Sequence, residues 1–111
     1  MRVLPPTPEA LLEELFTIFP EYRAEHCAIH DDAPTYHSVL MAFTLFFGAH
    51  NASFSERQLR YFGELVSTAV AAGGSLENAF STCLLEHLHQ IRASRALCPY
   101  LSELARERTH A

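Results

Sequence analysis

The run Ser75-Leu76-Glu77-Asn78-Ala79-Phe80-Ser81-Thr82-Cys83-Leu84-Leu85-Glu86-His87-Leu88 follows two glycines, Gly73-Gly74, and carries apolar residues at helical spacing. Ser75 suits an N-cap, and Glu77 places a negative charge in the first turn, where the helix dipole favours it. At 100° per residue, Leu76, Phe80, Cys83, Leu84, His87 and Ile91 share one face, with Ala79 and Leu88 at its edges. Glu86 flanks that stripe, and Leu85 points to the opposite side. A helix with apolar residues on both sides is packed by neighbours on both sides. The run is therefore expected to be the central helix of an all-α domain, continuing to about Arg95.

Working outward, Gly73-Gly74 ends a preceding helix over 54–72 with the stripe Leu59, Phe62, Leu65, Val66, Ala69 and Val70. Ser53-Phe54-Ser55-Glu56 has the spacing of a capping box for it. Thr35 to Gly48 reads as another helix, with Tyr36, Val39, Leu40, Phe43, Phe46 and Phe47 on one broad face. Near the start, Thr7-Pro8-Glu9 opens a helix over 8–19, and Pro20 ends it and begins a shorter one over 21–30. Asp31-Asp32-Ala33-Pro34 is a turn, and Pro99 separates the central helix from a last short one over 100–108. No alternating strand pattern of useful length occurs. Four main helices with short connections predict a single domain over 1–111, an antiparallel bundle or a short stack of helical hairpins, with a tail at 1–6 and fraying at 109–111.

The charge is uneven. Seven of the thirteen acidic residues lie within 1–32 against two arginines, and the net charge is −5. That acidity argues against nucleic acid and favours a basic protein partner. No apolar run approaches the ~20 residues of a membrane helix. Cys27, Cys83 and Cys98 are odd in number and unpaired in spacing, and no signal segment is evident, so a reduced cytoplasmic protein is expected.

Leu11-Leu12-Glu13-Glu14-Leu15-Phe16…Phe19-Pro20-Glu21-Tyr22 and Leu76-Glu77-Asn78-Ala79…Cys83-Leu84-Leu85-Glu86-His87-Leu88 together resemble a group of small all-α bacterial proteins of unknown function. Some members of that group are encoded near polymorphic toxins and are proposed as immunity proteins. The resemblance implies an all-helical fold and a binding role, and it carries no catalytic residues. The present chain holds more histidine than that group.

The histidines offer one arrangement with metal-ligand spacing. His26 and His30 are four apart on a helix, His37 lies across the turn, and Asp31 or Asp32 would complete a site. No Cys-x-x-Cys or His-Glu-x-x-His supports it, so these histidines are read as favourable charges near a helix C-terminus, and no metal or other cofactor is expected. His30-Asp31 lacks the further ligands of a metal-dependent phosphohydrolase. His87 is expected as a core histidine, Glu86 as a hydrogen-bonded carboxylate beside it, and Cys83 as a small core residue. Cys98 is the cysteine expected to be most exposed.

No catalytic motif is present. The chain is expected to be a non-enzymatic protein-binding module, an immunity- or antitoxin-like inhibitor that masks a basic toxin. Its surface would be the acidic side formed by Glu13, Glu14, Glu21, Glu25, Asp31 and Asp32, with Tyr22 as an aromatic anchor. The alternatives are a scaffold that forms a homodimer through leftover apolar surface, and a small metal-binding or catalytic domain.

Overall fold

Hydroxyls and prolines set where the helices begin. The computed structural model describes residues 3–26 and 33–109, and within them the chain is all-α, with no strand. Thr7 caps α1 (Pro8–Ile18) by accepting from the Ala10 N–H at 3.1 Å, with Pro8 in the first turn. Pro20 starts α2 (Pro20–Glu25) directly after Phe19. The expected continuation of α2 to residue 30 lies outside the described residues. Thr35 and Ser38 form a reciprocal capping box on α3 (Tyr36–His50). A short 3-10 turn over Asn51–Ser53 then leads to α4 (Glu56–Ala72).

The box on α4 is Ser55 with Gln58, two residues beyond the expected Ser53–Glu56 pair. The reason lies in Phe54. Its ring is buried 4.6 Å from that of Phe19, a position just before the cap from which an apolar side chain fixes the angle of entry.

The long central helix does not form as one piece. Its first half is α5 (Gly74–Cys83), which starts at a glycine rather than at the Ser75 cap. Gly73, with φ of +75°, ends α4 through its N–H to Ala69 O and opens α5 with no residues between. A side chain would resist that backbone conformation. α5 stops at Cys83, whose carbonyl accepts from a side chain of α3. The buried Thr44 hydroxyl donates to Cys83 O at 3.0 Å, and the His87 N–H turns to Leu84 O instead.

The 3-10 turn Leu85–His87 follows, in which residues three apart stack in line. Leu84, Leu85 and Leu88 are all fully buried as a result. A continuous helix would have pointed Leu85 away from the stripe. The cost falls on the polar residues between: Glu86 and His87 are exposed, not packed in the core as expected. His87 Nδ1 meets Gln90 Oε1 at 2.7 Å. The turn closes with Ala93 N–H to Leu88 O and Arg92 N–H to His89 O, the paired bonds of a helix terminus that reverses in the left-handed region. Arg92, at φ 58°, occupies the position glycine usually holds. α6 (Ser94–Leu97), a 3-10 turn over Cys98–Tyr100 and α7 (Glu103–Glu107) complete the chain.

α5 packs against both α3 and α4, so the expectation of a central element holds for its first ten residues. One continuous core runs from Leu11 to Ala105. At its middle Phe62 of α4 touches Phe19, Phe43, Phe47 and Phe80, with ring centroids 5.2–6.2 Å apart. The C-terminal segment reaches α4 at Gly63, where an added Cβ would lie 2.5 Å from Tyr100 O.

Phe62→Ala and Phe80→Ala should each cost about 3–5 kcal/mol, since both rings are fully buried and would leave cavities. Urea midpoints measure this. Arg92→Gly should instead raise stability by about 0.5–1 kcal/mol, by relieving a left-handed backbone. An unchanged or lower midpoint would show that Arg92 is not held there in solution.

Candidate functional site

α3 contains no Asp, Glu, Lys or Arg anywhere in its fifteen residues. Its inward side supplies Leu40, Phe43 and Phe47 to the core. Its outward side is also apolar. Met41 and Leu45, one turn apart, are 62% and 74% exposed, and Ala42 and Ala49 lie exposed beside them. A helix apolar all round is ordinarily covered all round, so this face is the exception on the molecule.

Beside it runs a groove of about 660 Å³ between α3 and the pair α1–α2. Leu12, Tyr22, Val39, Ala42, Leu45 and Phe46 give it apolar walls, and Glu9, Glu25, His26 and Ser38 supply polar groups. The two carboxylates belong to opposite ends. The start of α1 is tied to the start of α3 by the Tyr36 hydroxyl, which donates to Pro5 O at 2.9 Å, and Glu9 lies in that first turn. Glu25, at the end of α2, meets His50 at the end of α3 at 2.9 Å.

The acidic side expected from the sequence is less open than its composition suggests. Glu13 pairs with Arg23 at 3.2 Å, Glu21 accepts from Gln58 Nε2 at 2.8 Å, and Glu14 is half-buried. Arg23 also lies 4.4 Å over the Phe16 ring, which brings a cation into the acidic region. Asp31 and Asp32 lie outside the described residues. Tyr22 is a correction: it is only 3% exposed and packs against Phe16, Phe43 and Phe46, so it forms the floor of the groove and not a projecting anchor.

His26 packs edge-on against Phe16 and Tyr22, whereas His37 Nε2 lies 3.4 Å from Asn78 Nδ2 of α5. Their contacts are with different elements, and His30 lies outside the described residues. Among the described residues, no three His, Cys, Asp or Glu side chains are grouped to hold a metal ion. Cys83 and Cys98 are both free and half-buried. The surface that sequence reasoning missed is the Met41–Leu45 face with Glu9 and Leu12. Its signal is the absence of Asp, Glu, Lys and Arg along α3.

Burial raises the Tyr22 phenol above its ordinary pKa of 10.0, because ionisation in the groove floor would place a charge among rings. A raised folded-state pKa gives stability that is complete below pH 10 and is lost as pH rises through the folded value. Tyr22→Phe should therefore flatten the alkaline loss of stability relative to the parent chain, as followed by urea midpoints across that range. An identical alkaline decline in the two proteins would contradict the burial of the hydroxyl.

No helix among the described residues is long and apolar enough to cross a membrane. No protein-family model matches the chain, and no significant similarity to a curated protein or a solved structure was found.

Proposed function

We propose that the chain is a non-catalytic protein-binding module that masks a basic partner, in the manner of an immunity protein. The observation that carries this reading is the uncharged outward face of α3, with Met41 and Leu45 exposed beside an apolar groove. Exposed apolar surface next to a concavity is the usual mark of an interaction site on a small domain. The carboxylates around it and the net charge of −5 supply long-range attraction for a cationic protein. Inhibition would follow from occlusion: a domain seated on a toxin's active surface excludes its substrate without chemistry of its own.

The acidic side that composition suggested keeps a role as the field around the contact. Glu13 and Glu21, already held by Arg23 and Gln58, contribute to that field more than to direct contacts. The Leu85→Asp substitution would place a carboxylate in the core and unfold the domain, so it is no probe of the surface.

Co-purification with the product of the adjacent reading frame tests this. Leu45→Gln should lower capture by about tenfold or more, with stability moving by no more than about 0.5 kcal/mol, because the side chain is mostly exposed. The double reversal Glu21→Arg, Glu25→Arg should mainly slow association, an effect that shrinks in high salt. Capture indifferent to both changes would sink the reading.

A further inference from the structure

We propose that the groove between α3 and α1–α2 receives one amphipathic helix of the partner, whose apolar side lies along α3 and whose ends carry cations two turns apart. This rests on the binding-module reading above and specifies its occupant. Three observations select it.

The first is length. The groove's α3 wall runs from Ser38 to Phe46, nine residues, or about 12 Å at the α-helical rise. That is room for two turns of a second helix, enough to seat apolar anchors at i, i+4 and i+7 against Val39, Ala42 and Leu45. No sheet edge exists among the described residues to which an extended segment could add as a strand.

The second is charge. Glu9 and Glu25 stand at opposite ends of the trough and are its acidic groups. An occupant with Arg or Lys near each end meets both carboxylates, whereas an acidic one brings like charges together at both ends. His50, whose Nε2 lies 2.9 Å from a Glu25 carboxylate oxygen, is the group that now partners one of them. A docking Arg would share or replace that contact.

The third is size, and it weighs against a second copy of this chain. A stable dimer buries about 800 Å² on each partner. The exposed large apolar side chains of α3 number two, Met41 and Leu45. Pairing of two copies would also bring two acidic proteins together, each with a net charge of −5.

A fluorescence-anisotropy titration tests the proposal with three synthetic peptides of about 18 residues. One is a helix with Leu at i, i+4 and i+7 and an Arg at each end of that two-turn span. The second has Glu at those ends, and the third is a scramble of the first. The Arg-ended helix should bind about tenfold or more tighter than either control. Leu45→Gln and Ala42→Gln should each weaken it several-fold, whereas Glu9→Gln and Glu25→Gln should mainly narrow the preference for Arg over Glu ends. Equal binding of the scramble, or binding unchanged by all four substitutions, overturns the proposal. Sedimentation of the chain alone supplies a second arm: a dimer split by Leu45→Gln would make a second copy the occupant and overturn it. So would a clear fall in thermal midpoint for both Leu45→Gln and Ala42→Gln, since the groove would then be filled by the chain itself. Leu45-dependent capture of the natural partner without binding of the Arg-ended peptide would overturn the helix alone and leave the module reading in place.

Discussion

The burial of Phe19 is the constraint on which most of the architecture depends. This residue ends α1 and precedes Pro20, so its position sets the angle between α1 and α2. Its ring is fully buried against Phe43 and Phe47 of α3, Phe54 before α4 and Phe62 within α4. Four contacts of that kind, each worth about 0.5–1.5 kcal/mol beyond area burial, converge on one side chain at a bend. Gln58 reinforces the same corner. Its amide holds the Ser55 N–H at the start of α4 and donates to Ile18 O and Glu21 across the α1–α2 junction. Because the corner is fixed, α2 turns back over α3, Tyr22 lands on Phe46, and the groove has a floor.

The helices that stand on local chemistry were legible in the amino-acid order. Thr7-Pro8 and Pro20 act where expected, and Thr35, expected as the first residue of its helix, is its cap, because capping and proline geometry are decided within four residues. The stripe of α4 likewise follows from periodicity alone. The run after Cys83 was not legible, because distant partners hold the turn there: the Thr44 hydroxyl, thirty-nine positions earlier, donates to Cys83 O, and Leu84, Leu85 and Leu88 are all buried. Nothing local to Cys83-Leu84-Leu85 announces that. The adjacent pair Leu84-Leu85 is the sequence-level hint, since a continuous helix sends two neighbouring apolar residues to different sides. His87 and Glu86 were misplaced by the same error.

The candidate site was half legible. Composition showed the acidic first third, but it could not show which carboxylates the fold engages with Arg23, Gln58 and His50. Periodicity placed Tyr22 beside the acids without revealing that the α2 turn presses it inward. On α3 the pattern gave a broad apolar face and the correct inward residues. The number of neighbours available to cover that face is a property of the whole arrangement. Helices α1, α4 and α5 cover the inner arc of α3 and leave Met41 and Leu45 to solvent.

The close approach at Gly63 also bears on the order in which the molecule assembles. α4 and α5 are joined through Gly73 alone, so their contacts close small loops, whereas α3 meets α5 across thirty-nine positions, from Thr44 to Cys83. The last segment meets α4 at a separation of the same order. The Ser102 N–H reaches Ser67 Oγ across thirty-five positions, and the Tyr100 backbone seats over Gly63, where the absence of a side chain leaves a notch. Such a notch can be used only after α4 is helical, because it exists only as a surface of that helix. The chain from Cys98 onward thus behaves as a clasp, closing over an α4 that is already helical.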